Sequence, residues 1–192
     1  MNLGVTSKTG RIRAAMRAFF ALLALTLFPA HAQAKERVTV SANARAVIVA
    51  NLSFFRVDDL DFGKIVAGTT AGTVVVSPTG TRTASGGVRL ASSTTVKAAK
   101  FAGKGSFNQT LTIAVTSNTV TLNRVGGGDT MTMDTFIIGS TPAIQLTTTP
   151  KSFRIATTSG IFQFPVGATL RVKARQTPGT YTGTFTISLQ YQ

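Results

Sequence analysis

The sequence lacks cysteine and tryptophan altogether, and it has a single histidine, His31, among 192 residues. The absence of cysteine excludes disulfide scaffolds, thiolate metal sites and cysteine nucleophiles. Acidic residues are scarce as well, since 6 Asp and Glu stand against 20 Lys and Arg, a formal net charge of +14. Only 14% of the residues are charged while 43% are hydrophobic, so the chain can bury a core and is not a disordered polybasic segment.

The first 34 residues have the pattern of an export signal. Four basic residues precede an apolar stretch of eleven residues, Ala18 to Phe28, which is too short to cross a bilayer core that needs about 20. Small residues follow at Ala30, Ala32 and Ala34, and the last two mark the predicted cleavage region. We therefore expect an exported protein of the periplasm, cell surface or extracellular space, with 158 mature residues, a net charge of +10 and no histidine.

The remaining chain shows the two-residue periodicity of strands and no sustained helical period. In the clearest case, at the C-terminus, polar residues alternate with an apolar row formed by Tyr181, Phe185, Ile187, Leu189 and Tyr191. Further strands are predicted at 60–66, 73–77, 88–91, 111–116, 120–124, 131–138, 153–156, 162–166 and 170–174, with glycine or proline turns between them. Short strands at this spacing predict an all-β sandwich or barrel, with one domain over residues 51–192.

Residues 35–50 form a separate candidate strand. Their apolar side chains occupy alternate positions, namely Val38, Val40, Ala42, Ala44, Ala46 and Ile48, and would line one face of an extended strand. The segment follows the predicted signal, and the last strand stops at Tyr191 and Gln192. Together these ends suggest donor-strand exchange, in which the N-terminal strand of one subunit fills the sheet edge of the next. The alternative is that residues 37–51 form the first strand of their own sandwich.

Several motifs resemble those of the DUF4402 family. Leu60–Ile65, with Gly72–Val74 and Gly80–Thr83, resembles the opening of that family, and Val166–Val172 with Pro178–Phe185 resembles its ending. The resemblance covers about residues 51–192 and implies an exported bacterial protein with an immunoglobulin-like sandwich. It is similar in layout to chaperone–usher pilins and spore-coat-U-like domains. It thus implies a periplasmic chaperone and an outer-membrane usher as partners, in addition to the self-association that the two ends of the chain suggest. The lack of cysteine departs from the many pilins that carry a disulfide.

Patterns for catalysis and metal binding are weak. The predicted mature chain has no histidine to activate a serine or threonine nucleophile. Asp58, Asp59 and Asp61 could hold a hard cation, but a calcium loop that starts at Asp59 would place Thr70 where a glutamate is required. We expect instead a solvated turn in which Asp61 bonds backbone N–H groups, and we expect no enzymatic activity, no cofactor and no metal.

The positive charge predicts attraction to anionic polymers. Lys97, Lys100 and Lys104 form the densest basic group, and no aromatic-rich stretch accompanies them in the sequence, so nucleic acid is not an expected partner. Two functions stay open. One is a structural cell-surface protein, such as a fimbrial or pilus-like subunit in adhesion that assembles by strand donation. The other is a monomeric secreted binding module for anionic glycans or envelope polymers.

Overall fold

The computed structural model of the protein describes Asn43, residues 45–92 and residues 95–192. Within these residues the chain is all-β, with twelve strands and no helix, and every strand lies in the compact unit Val47–Gln192. The strands are β1 (Ser53–Asp58), β2 (Ile65–Val76), β3 (Arg82–Leu90), β4 (Ala99–Lys104), β5 (Thr110–Val115), β6 (Thr119–Arg124), β7 (Thr130–Ile138), β8 (Ile144–Leu146), β9 (Lys151–Arg154), β10 (Ile161–Val172), β11 (Tyr181–Thr182) and β12 (Ile187–Tyr191). They form two antiparallel sheets, so the predicted all-β sandwich is confirmed.

Some predicted features lie outside the described residues. These are the signal with its cleavage region at Ala32 and Ala34, and the donor positions Val38, Val40, Ala42 and Ala44. In the part of the chain that is described, no helix is long and apolar enough to cross a membrane.

The two sheets differ greatly in size. The larger sheet has nine strands; its main path runs β1-β4-β10-β7-β6-β11, while β2 pairs with β10 and β3, and β8 pairs with β7. The smaller sheet has three strands in the order β12-β5-β9. Strands β1 and β12 are therefore edge strands, one in each sheet.

Strand β10 joins two parts of the larger sheet. Its first half, Ile161–Val166, pairs with β4, and its second half pairs with β2, while β7 lies along the opposite side. The register against β7 shifts between Gly167 and Thr169. A Cβ atom on Gly167 would lie 2.1 Å from the Val76 carbonyl oxygen, so the close approach at this bulge requires glycine.

The core between the sheets is rich in phenylalanine. Phe54, Phe101, Phe162 and Phe164 of the larger sheet stack on one another at ring-centroid distances of 5.5 to 6.4 Å. Phe153 of the smaller sheet meets this cluster edge-on. Because the sequence has no cysteine, side-chain packing such as that of these rings holds the two sheets together without a disulfide.

Three predictions about the N-terminal half of the sandwich, one strand segment and two of the glycine turns, are wrong. Residues 60–64, predicted as part of a strand, lie outside the strands, and β2 continues through the predicted turn at Ala67 and Gly68. The predicted turn at Ser85, Gly86 and Gly87 lies inside β3, where Gly86 pairs with Gly72. Glycine often marks a chain reversal, whereas here it allows two paired backbones to approach closely.

The C-terminal segment, predicted as one strand over residues 181–191, is divided between the two sheets. Tyr181 and Thr182 form β11 beside β6, and residues 187–191 form β12 beside β5. Residues 183–186 cross from one sheet to the other. The side chains of Phe185, Ile187, Leu189 and Tyr191 are buried or half-buried, whereas the residues between them are exposed.

Candidate functional site

A large apolar groove of about 1390 Å³ lies between the larger sheet and the C-terminal segment. Inward side chains of the larger sheet line one side of it, among them Leu122, Met131, Met133, Leu170 and Val172. Residues 59–67 and 176–187 form the rest of its border. These five side chains are only 2–8% exposed and form the buried floor of the groove. Its solvent-facing border contains the half-buried Leu60 and Ile65 and the exposed Val66.

Two strand edges border the groove, one from each sheet. Phe54–Arg56 of β1 and Ile187 of β12 both line it, and among the described residues β1 pairs only with β4 and β12 only with β5. The groove therefore runs past a row of backbone groups that have no ladder partner in the described part of the chain. Such edges are templates for another strand.

The backbone groups of β12 alternate in direction. The Thr116 N–H donates to the Thr186 carbonyl at 3.1 Å, and the Gln192 N–H donates to the Thr110 carbonyl at 3.0 Å. In an antiparallel ladder the residues between such pairs direct their N–H and C=O groups to the other side. Ile187, Leu189 and Tyr191 thus present their backbone groups to the open edge.

The chain just before β1 is fixed to the end of β12. The Tyr191 hydroxyl donates to the Ala50 carbonyl at 2.9 Å and accepts a hydrogen bond from the Ser106 N–H at 2.8 Å. The Ala50 N–H donates to Ser106 Oγ at 2.5 Å. The N-terminal segment therefore leaves the sandwich beside the last residue of β12.

The described part of the candidate donor segment is exposed. Residues 45–50 form no strand, and the first strand begins at Ser53. Ile48 is 97% exposed, and Ala46, Val47 and Val49 are exposed as well. Over these residues the segment does not form the first strand of its own sandwich.

A polar cluster holds the C-terminal side of the groove. Gln176 is 6% exposed, and its Nε2 donates to Asp129 Oδ2 at 2.6 Å and to the Tyr181 hydroxyl at 3.0 Å. The Tyr181 hydroxyl donates to the Thr177 carbonyl, four residues upstream, as in the tyrosine corner of immunoglobulin-like sandwiches. A hydrogen bond from the Lys173 ammonium is the largest cause that lowers the pKa of Asp129, from 3.8 to about 2. In the sequence, Asp129 follows three glycines and has the pattern of a hairpin turn residue, so no local signal relates it to Gln176.

The acidic triplet at residues 58–61 does not converge on one point. Asp58 faces two lysines, Asp59 pairs with Arg56 at 2.6 Å, and the Asp61 carboxylate accepts a hydrogen bond from the Gly63 N–H at 2.7 Å. The last contact is the local turn expected for Asp61. Across the described ranges, no three His, Cys, Asp or Glu side chains come together in a group that could hold a metal ion.

Comparison with known proteins gives one result about family. A family model described as a domain of unknown function, DUF4402, matches residues 52–191. The match contains all twelve strands of the described structure, and it confirms the resemblance inferred from the motifs. A search of curated proteins found no match.

Proposed function

We propose that this chain, which belongs to the DUF4402 family, is a non-enzymatic structural subunit of the cell surface that assembles by strand donation. The N-terminal segment of one copy enters the groove of the next copy and pairs with its free strand edges. The proposal is carried by one observation: the apolar groove lies between two strand edges that are unpaired among the described residues.

An inserted strand would form main-chain hydrogen bonds with the groove and would bury apolar side chains of both copies. Its backbone would bond to the groups that Ile187, Leu189 and Tyr191 direct to the open side of β12, and such main-chain bonds give affinity. Its inward side chains would cover apolar groups that line the groove and are still partly exposed, such as Leu60, Val66 and Phe185.

The N-terminal segment has the features of the inserted strand. Val38, Val40, Ala42 and Ala44 continue the alternation that ends at the exposed Ile48. Burial of a large aliphatic side chain contributes about 1.5–3 kcal/mol, so exposure of Ile48 favours a partner surface. Sixteen extended residues, 35–50, reach about 50 Å, which exceeds the length of β12.

The direction of the chain favours a second copy over the parent subunit. Ala50 is bound beside Tyr191, the last residue of β12. If residues 38–48 lay along β12 of the same subunit, they would therefore run toward Tyr191, in the same direction as β12, and the pair would be parallel. Every described strand pair is antiparallel. A segment from another copy is free to enter in the antiparallel direction.

Further partners follow from the family resemblance. An open apolar groove with free edges invites unspecific aggregation, so the proposal includes a periplasmic chaperone that covers the groove before assembly. It also includes an outer-membrane usher and export through the predicted signal. The assembled product is a fimbrial or pilus-like surface structure.

Light scattering on the full mature chain, residues 35–192, and on a form of it that lacks residues 35–50 tests the proposal. We expect the full chain to build concentration-dependent, denaturant-resistant oligomers and the shortened form to stay monomeric. A peptide of residues 35–50, added at about 100 times its Kd, should stabilise the shortened form by about 2.7 kcal/mol. Its melting temperature should then rise by about 5–10 °C.

Two variant peptides separate strand insertion from unspecific binding. A peptide with Val40→Asp and Ala44→Asp places charges on the apolar row and should lose its effect. A peptide with Ser41→Asp and Asn43→Asp places the same charges on the other face and should retain it. The proposal fails if the full chain is monomeric at every concentration, or if both variant peptides act alike.

A further inference from the structure

Strands β1, β4 and β10 lie side by side and present one outward face. Phe54 and Phe101 stack inside the sandwich, so the residues next to them in each strand point outward. The ladder places Phe55 beside Ala102, and Ala102 beside Gln163. The outward residues, called here the lysine face, are Phe55, Lys100, Ala102, Lys104, Ile161 and Gln163.

The lysine face is positively charged. Lys100 and Lys104 are exposed and lie about 13 Å apart along β4, with the small side chain of Ala102 between them. Lys100 Nζ is 3.7 Å from an Asp58 carboxylate oxygen, and a surface pair of this kind is weak. Among the described residues, no carboxylate lies within ion-pair distance of Lys104.

Apolar side chains flank the two lysines. Phe55 is 59% exposed and Ile161 is 55% exposed, one on each side of β4. Gln163 lies beside Ala102 and two residues from Ile161 on β10, and its amide offers both a donor and acceptors of hydrogen bonds.

We propose that the lysine face binds an acidic polysaccharide, a sugar chain that carries carboxylate or sulfate groups. The anionic groups contact Lys100 and Lys104, and the C–H face of a sugar ring packs on Phe55. The amide of Gln163 bonds sugar hydroxyls. This function adds to subunit assembly and does not depend on it, because Lys100, Lys104 and Gln163 do not line the groove, whereas Phe55 borders both surfaces.

Titration of the full chain with polygalacturonate, a polymer of sugar carboxylates, tests this site, with uncharged dextran as the reference. We expect binding of polygalacturonate that weakens as salt is raised, and no binding of dextran. Lys100→Gln with Lys104→Gln should weaken binding by about tenfold or more. Phe55→Thr should weaken it several-fold and leave its salt dependence unchanged.

Lys151→Gln with Arg154→Gln is the matched control, since it removes the same charge from β9 in the smaller sheet. This variant should bind within about twofold of the parent chain. Equal losses in the two double variants would overturn the site, because net charge alone would then explain binding. Absence of polygalacturonate binding would also overturn the site. The same holds if Phe55→Thr changes the size of the oligomer but leaves the affinity for polygalacturonate unchanged.

The proposals of strand donation and of polysaccharide binding can be tested independently of each other. Deletion of residues 35–50 should abolish oligomers and leave the affinity of one subunit for polygalacturonate unchanged. If that deletion also abolishes polysaccharide binding, the lysine face is not the site.

Discussion

Gln176 shows how one buried amide can fix a whole segment of the chain. Its Oε1 accepts a hydrogen bond from the Lys173 N–H, and its Nε2 reaches Asp129 and Tyr181. A buried polar group that loses its partners costs about 1–3 kcal/mol, so the amide holds residues 176–181 in one place. That segment borders the groove, and the cluster therefore sets the position of one groove wall.

The Asp129 carboxylate makes this cluster sensitive to acid. Its pKa is lowered from 3.8 to about 2, so the folded state favours the ionised form. The contribution is complete above about pH 4 and is lost as the pH falls toward 2. For the parent chain, the urea concentration at the midpoint of unfolding should fall between pH 4 and pH 2. In the Asp129→Asn variant this decrease should be smaller.

Asp59→Asn serves as the control because it removes the same charge from a carboxylate that is 72% exposed. The parent chain and this control should show the same acid profile. If the Asp129→Asn profile runs parallel to that of the parent chain, Asp129 is not the source of the effect.

At the scale of elements, the β2–β3 hairpin depends on glycines within its strands. The register of this pair shifts between Ala67 and Gly72. A Cβ atom on Gly87 would lie 2.1 Å from the Thr70 carbonyl oxygen. Since the obstacle is backbone, no side-chain movement relieves it, and the two strands can approach only where the side chain is absent.

Gly87→Ala should destabilise the sandwich by about 1–3 kcal/mol, because overpacking of a close backbone contact forces the strands apart. Urea denaturation of a form lacking residues 35–50 measures this without interference from assembly. Gly80→Asn is the matched control, since a Cβ there meets nothing within 4 Å and asparagine tolerates the φ of +84°. Equal stability of the Gly87→Ala variant and the parent chain would contradict this account of the hairpin.

At the scale of the whole molecule, the two sheets are unequal and the sandwich is open along one side. A nine-stranded sheet packs on a three-stranded one, and a groove of about 1390 Å³ lies between the larger sheet and the C-terminal segment. The proposed donor strand would lie in this groove, between β1 and β12. The stability of the subunit is therefore expected to depend on what occupies the groove.

The absence of native cysteine allows a direct test of strand position. Chains with Leu189→Cys, mixed with chains carrying Val40→Cys, Ala42→Cys or Ala44→Cys, should give disulfide-linked dimers at one of the three positions. Inward side chains of adjacent strands lie about 4.5–5.5 Å apart at Cβ, close to the reach of a disulfide. Non-reducing electrophoresis measures the yield.

The intervening positions supply the control for this cross-linking. Thr39→Cys, Ser41→Cys and Asn43→Cys point to the opposite face of an inserted strand and should give no dimers. Equal yields at odd and even positions would indicate random collision instead of an ordered strand.

The sequence alone determined the fold class and the family. Alternation of apolar and polar residues is a local property, and it decides which side of a strand can be buried. For this reason the burial of Phe185, Ile187, Leu189 and Tyr191 follows their spacing, and the strands near 111–116, 120–124 and 131–138 lie close to their predicted places. The motifs at both ends of the domain resemble those of the DUF4402 family, and the family model matches residues 52–191.

The tertiary structure decided which strands pair and what they bring together. Strands β1 and β4 were not predicted, and only their mutual ladder places Phe55 on the same outward face as Lys104. The contact of Gln176 with Asp129 joins residues 47 positions apart. The groove and the division of the C-terminal segment arise likewise from two sheets of unequal size. Pairing across long sequence separations depends on the packing of the whole chain, and a local pattern of side chains does not encode it.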